Sequence, residues 1–143
     1  FLPGALAGFG IQASYTGIDS FRADNGAGYR VPLEQMSRDN YAIAATYDRH
    51  GVRAGVAWAW RSRLLEISNG DALGRPLYRD PFGQLDANIS IDLTRNVSLS
   101  ASVINALRRR TSEYYSDPPI INQVFVESRR FLVGLSYRSG ALP

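Results

Sequence analysis

The residues Gln84-Leu85-Asp86-Ala87-Asn88-Ile89-Ser90-Ile91-Asp92-Leu93 alternate polar and apolar without a break. Successive side chains of a strand point to opposite faces, so this period of two predicts a strand with one greasy and one wet side. Thr94-Arg95-Asn96 follows as a short polar turn, after which Val97, Leu99, Ala101 and Val103 alternate with Ser98, Ser100 and Ser102. Two such runs joined by a short turn predict a hairpin. About nine to eleven tilted residues carry a strand across the hydrocarbon layer of a bilayer. The fold therefore turns on which medium meets the apolar side.

The same alternation recurs along the chain. It predicts six strands at approximately 8–18, 40–49, 52–61, 83–93, 97–105 and 129–138. His50-Gly51 and Thr94-Arg95-Asn96 are short turns, whereas the connections at 20–38, 62–81 and 106–128 are long. The expected fold class is all-β, a six-stranded antiparallel up-and-down meander. Long structureless loops are uncommon inside compact soluble domains. Membrane barrels combine short turns at one end with long loops at the other, which predicts that the meander is wall of a transmembrane β-barrel. The expected membrane-facing set is Phe9, Ile11, Tyr41, Ile43, Val56, Trp58, Trp60, Leu85, Ile89, Leu99, Phe131, Leu135 and Tyr137. Its aromatics gather towards strand ends, as interfacial girdles do. Arg53, Gln84, Asp86, Asn88 and Ser100 are expected to face the lumen.

Composition narrows the field. The chain has 143 residues, the length of one ordinary domain, and 45% of them are apolar, which excludes a disordered class. Without cysteine it has neither disulfides nor a thiolate metal site. A net charge of +3, from 16 basic and 13 acidic residues, does not argue for nucleic acid. No apolar run approaches the roughly 20 residues of a spanning helix. The chain opens Phe1-Leu2-Pro3-Gly4, with no initiator Met and no leader pattern, which is expected of a piece of something longer.

Catalysis finds little support. The single histidine, His50, falls in a tight turn rather than beside a hydroxyl on a shared face. Asp86 and Asp92 are separated by roughly 20 Å at strand rise, too far for paired carboxylate chemistry. Asp24-Asn25-Gly26 lacks the remaining ligands of a calcium loop and reads as a turn. The expectation is no enzyme, no cofactor and no metal. Ligand binding is expected instead at the loops and mouth. Arg108-Arg109-Arg110 forms a basic rim that can take anionic groups through bidentate forks, joined by Arg30, Arg61 and Arg63, while Tyr29, Tyr78, Tyr114 and Tyr115 offer aromatic faces.

Several fragments, in order, resemble the late barrel strands of TonB-dependent outer-membrane receptors. They are Leu2-Pro3-Gly4 with Gly8-Phe9-Gly10-Ile11-Gln12-Ala13-Ser14-Tyr15-Thr16, then Trp58-Ala59-Trp60-Arg61-Ser62, Gly83-Gln84-Leu85-Asp86-Ala87 and Val103-Ile104-Asn105-Ala106-Leu107. Arg129-Arg130-Phe131-Leu132-Val133-Gly134-Leu135-Ser136-Tyr137-Arg138 looks like the family's final strand, although Ser139 stands where a terminal aromatic is usual. The resemblance implies the C-terminal part, residues 1–143, of a barrel of about 22 strands with a plugged lumen, its plug domain lying outside this sequence. It further implies a bacterial outer-membrane transporter for a scarce nutrient such as siderophore-iron, cobalamin or an oligosaccharide. Uptake would be energised through TonB, with the rest of the barrel, the plug, lipid and lipopolysaccharide as partners. Two alternatives stay open, a soluble β-sandwich or lipocalin-like binding module and a small outer-membrane barrel enzyme. A barrel wall predicts that Ile11, Val56, Leu85 and Leu99 share one uncovered surface, whereas a sandwich buries them.

Overall fold

The computed structural model describes residues 7–23, 30–115 and 119–139, and these are all-β. Twelve strands form among them, numbered β1 to β12 along the chain. β1 (Phe9–Gly17), β4 (Asp39–Arg49), β5 (Val52–Arg61), β8 (Phe82–Asp92), β9 (Val97–Ile104) and β12 (Arg130–Tyr137) lie side by side in chain order as one antiparallel sheet. Their ends lie within one residue of those the alternation predicts. His50 and Gly51 join β4 to β5 with φ of 53° and 72°, the paired left-handed geometry of a two-residue hairpin whose twist matches its strands. At the β8–β9 turn the Thr94 hydroxyl accepts from the amides of Asn96 (3.2 Å) and Val97 (3.0 Å), an ordinary local cap for a polar turn.

The long connections depart from expectation. Within 20–38, β2 (Phe21–Ala23) pairs with β3 (Arg30–Pro32). Within 62–81 and 106–128, β6 (Leu64–Ile67), β7 (Leu77–Arg79), β10 (Arg110–Tyr115) and β11 (Ile120–Val126) build a four-stranded sheet ordered β11-β10-β7-β6. That order repeats the neighbours of the first sheet, because β6 follows β5, β7 precedes β8, β10 follows β9 and β11 precedes β12. The second sheet therefore extends four of the six strands past a break. The break has local causes. Pro81 has no amide to give a ladder, and Asn105 and Arg108 take left-handed φ of 58° and 56°. Backbone bonds stitch across it, from Asp80 N to Ser112 O at 2.9 Å and from Ala106 N to Leu85 O at 2.7 Å.

No residue of the six long strands is buried on either face. The buried hydrophobic residues among those described are Leu64, Leu65 and Leu77, all in the second sheet. In the first sheet the ladder aligns Ile11, Ala45, Val56, Ala87, Val103 and Phe131 in one row, one residue from each strand. Ile11 is 79% exposed, Phe131 71%, Val56 44% and Leu99 40%, so no second layer covers this face among the described residues. Aromatics bracket it. Tyr15, Tyr41 and Trp60 form a row nearest the second sheet, with Tyr41 stacked on Trp60 at 5.0 Å, while Phe9 packs on Tyr47 at 4.8 Å nearer the short turns. The opposite face carries Gln12, Asp86, Arg53, Asn88 and Ser100, and its Arg53–Asp92 pair (2.6 Å) is exposed.

Gly83 fixes one apolar contact, since a Cβ there would lie 2.6 Å from the tip of the Trp58 indole. Gly83→Val should therefore displace Trp58 at a cost of about 1–3 kcal/mol. In a Trp60→Phe background the near-UV circular dichroism should lose the Trp58 band; an unchanged spectrum with an unchanged unfolding midpoint would contradict this packing.

Candidate functional site

The polar side of the sheet gathers its strongest chemistry at the junction with the second sheet. Asn105 sets the geometry. Only 3% exposed, it receives with its side-chain oxygen the Arg109 amide (2.9 Å) and donates from Nδ2 to the carbonyl of Glu127 (3.1 Å). Its own amide donates to Asp86 (2.8 Å), whose carboxylate also accepts from Gln84 (3.0 Å). A left-handed Asn thus ties β9, β10 and the segment before β12 together, and the next turn of chain sends Arg109 inward.

Three guanidinium groups meet there. Arg109 lies 3.7 Å from the centre of the Phe82 ring, and Arg61, at the end of β5, lies 5.3 Å from the same ring. Arg79, at the end of β7, stands over Phe125 at 5.6 Å. Their anionic partners are unequally shared. Arg79 donates to the buried Glu113 through Nε (3.0 Å) and Nη2 (2.5 Å), and also reaches Glu66 (3.3 Å). Arg109 pairs with Glu127. Arg61 donates to the Ser37 hydroxyl at 3.4 Å and has no ion pair among the described residues. Burial, with the neighbouring charges of Arg61 and Arg79, holds the Arg109 pKa below the usual arginine range.

Two polar atoms at the site lack hydrogen-bond partners among the described residues, Arg109 Nε and the hydroxyl of Thr111, a residue only 4% exposed. Arg109 and Thr111 both line a cleft of about 300 Å³ walled by Phe82 and Phe125 and by the arginines, although the two unpartnered atoms are themselves closed off from solvent.

The expected binding residues separate into groups. Arg61 and Arg109 come together in the cleft. Arg63 stands over Tyr78 at 5.3 Å, and Tyr78 stacks on Tyr114 at 6.1 Å, on the opposite side of the second sheet from Arg79 and Glu113. Tyr115 donates to the Gly70 carbonyl (3.2 Å) beneath Arg75, so it is tied to the β6–β7 connection rather than turned to the cleft. Arg108 and Arg110 are exposed, and the left-handed turn at Arg108 followed by strand alternation splits the expected basic rim. Tyr29 lies outside the described residues, as does the Arg30 side chain. Arg79, Phe82, Thr111, Glu113, Phe125 and Glu127 were not expected. Their signal is weak in sequence, because no local pattern marks a buried Thr or Glu in a short strand.

No family model matches the sequence, and no curated protein or solved structure matches it either.

Breaking a buried pair leaves an uncompensated charge. Arg79 retains Glu66 and is partly exposed, so Glu113→Ala should cost about 1–3 kcal/mol, less than a fully buried pair. Asp92→Ala, removing an exposed partner, should cost under about 1 kcal/mol. Urea unfolding of both variants checks the contrast, and equal costs would contradict it.

Proposed function

We propose that the chain is part of the wall and mouth of an outer-membrane receptor barrel, of the TonB-dependent kind its sequence resembles. The six long strands cross the bilayer in this reading, with the apolar face towards lipid and the polar face towards a plugged lumen. The second sheet carries the hairpins on beyond the membrane, where they contact an incoming ligand. Uptake is non-covalent. Ligand capture is followed by plug rearrangement, driven through TonB.

One observation carries the reading, the uncovered apolar face of the six-stranded sheet. Six strands spaced about 4.8 Å apart and ten residues long present roughly 900 Å². Monomeric soluble proteins rarely expose contiguous apolar patches beyond a few hundred Å². Tilted by about 40°, the ten-residue interval from the Trp60 row to the Tyr137 row rises through roughly 25 Å, the height of a barrel's apolar band. Aromatics at both limits suit the two headgroup levels. The polar side supports the same view: Arg53 and Asp92 are tolerable in a wet lumen and costly against acyl chains.

Paired substitutions on adjacent residues of β5 test the proposal. In lipid vesicles Val56→Arg should cost about 2–4 kcal/mol, and Ala57→Arg under about 1 kcal/mol. If both variants unfold within about 0.5 kcal/mol of the parent, as surface changes on a soluble sheet do, the membrane reading fails.

A further inference from the structure

We propose that the cleft between the two sheets binds a small oxyanion, a carboxylate or phosphate group, held between the guanidinium groups of Arg61 and Arg109 with the Thr111 hydroxyl as a further donor. As the ligand class of a receptor it rests on the function proposed above; as a binding site it stands on the geometry of the cleft.

The unmet groups all ask for the same thing. Arg109 Nε and the 4%-exposed Thr111 hydroxyl have no partner among the described residues, and both can donate. A buried polar group left unsatisfied costs about 1–3 kcal/mol. Arg61 brings a positive charge to the Phe82 ring already covered by Arg109, and its side-chain hydrogen bond among the described residues goes to the Ser37 hydroxyl at 3.4 Å. The nearby carboxylates pair with the other two arginines: Glu66 and Glu113 with Arg79, and Glu127 with Arg109, Glu66 also attracting Arg61 without forming an ion pair with it. Three arginines and three carboxylates balance overall, but of those carboxylates Glu127 alone lines the cleft, facing Arg61, Arg79 and Arg109. A neutral hydroxyl ligand would answer Thr111 alone, whereas an oxyanion also meets the arginine-rich lining. Its oxygens fit the planar fork of arginine. The rings of Phe82 and Phe125 lower the local dielectric and strengthen the pairing. Glu127, with about half of its side chain exposed, is the competing anion and can swing away.

Inorganic phosphate and citrate, titrated separately into the intact protein in uncharged detergent and followed calorimetrically, are the probes. They separate a phosphate preference from a carboxylate preference. Saturable one-to-one binding of at least one is expected. Arg61→Gln should weaken it about tenfold or more, as loss of a charge-assisted bond does. Thr111→Val should weaken it about threefold or more while leaving the anion-free protein as stable or more so, because it removes an unsatisfied hydroxyl. Glu127→Gln should tighten binding, and Arg63→Gln, on the other side of the second sheet, should leave it unchanged. Absence of saturable binding of both anions up to about 10 mM would overturn the site. So would binding that survives Arg61→Gln and Thr111→Val unaltered. The Val56→Arg and Ala57→Arg comparison reads the membrane assignment independently, so failure of one proposal is distinguishable from failure of the other.

Discussion

Every backbone amide and carbonyl in the middle of a sheet needs a neighbour, and the ladder that supplies one also fixes which side chains lie abreast. In this protein it places Ile11, Ala45, Val56, Ala87, Val103 and Phe131 abreast. A one-residue slip in any strand would send its apolar set to the polar side. The two-residue turn at His50-Gly51 and the capped turn after Asp92 guard against that slip at one end. At the other end the strands run on into the second sheet, and the register is held by continuation rather than by a turn.

The position of the buried core follows from this arrangement. A six-stranded sheet with nothing over its apolar side has no hydrophobic centre of its own among the described residues, and Leu64, Leu65 and Leu77 supply one in the extension. Pro81 and the left-handed Asn105 interrupt the ladders between the two sheets. The interruption has a chemical result, because strand ends that would otherwise continue in register converge on one cleft. Arg61 arrives there from the end of β5, Arg79 from β7 and Arg109 from the turn before β10, and Asn105 holds the last of them in place through the Arg109 amide.

The six long strands were legible because each repeats the period of two over eight or more residues, and their bounds could be read from where the repeat stops. The second sheet was not, because its alternation runs against polarity. Thr111 and Glu113 are buried in β10, while Ile121 and Val126 of β11 are exposed. Glu113 is tolerated inside because Arg79 meets it twice, a pairing between residues 34 apart in sequence that no local pattern announces. The arginine triplet at 108–110 misled for a related reason. Adjacent residues in an extended chain diverge, and the partner of Arg109 in the cleft is Arg61, brought in from β5. Of the expected binding residues, Arg61 and Arg109 meet, while Arg63, Tyr78 and Tyr114 form a separate stacked group.

An apolar face this wide needs a cover, and in the proposed wall lipid tails supply it. Nitroxide labels placed singly along residues 84–93, in the protein reconstituted in vesicles, report collisions with membrane-soluble oxygen and with a water-soluble nickel chelate. Labels at 85, 87, 89 and 91 should collide with oxygen and be shielded from nickel, and those at 84, 86, 88 and 90 should show the reverse, in strict alternation. If the first set collides freely with nickel, or is shielded from both probes by packed protein, the apolar face does not meet lipid.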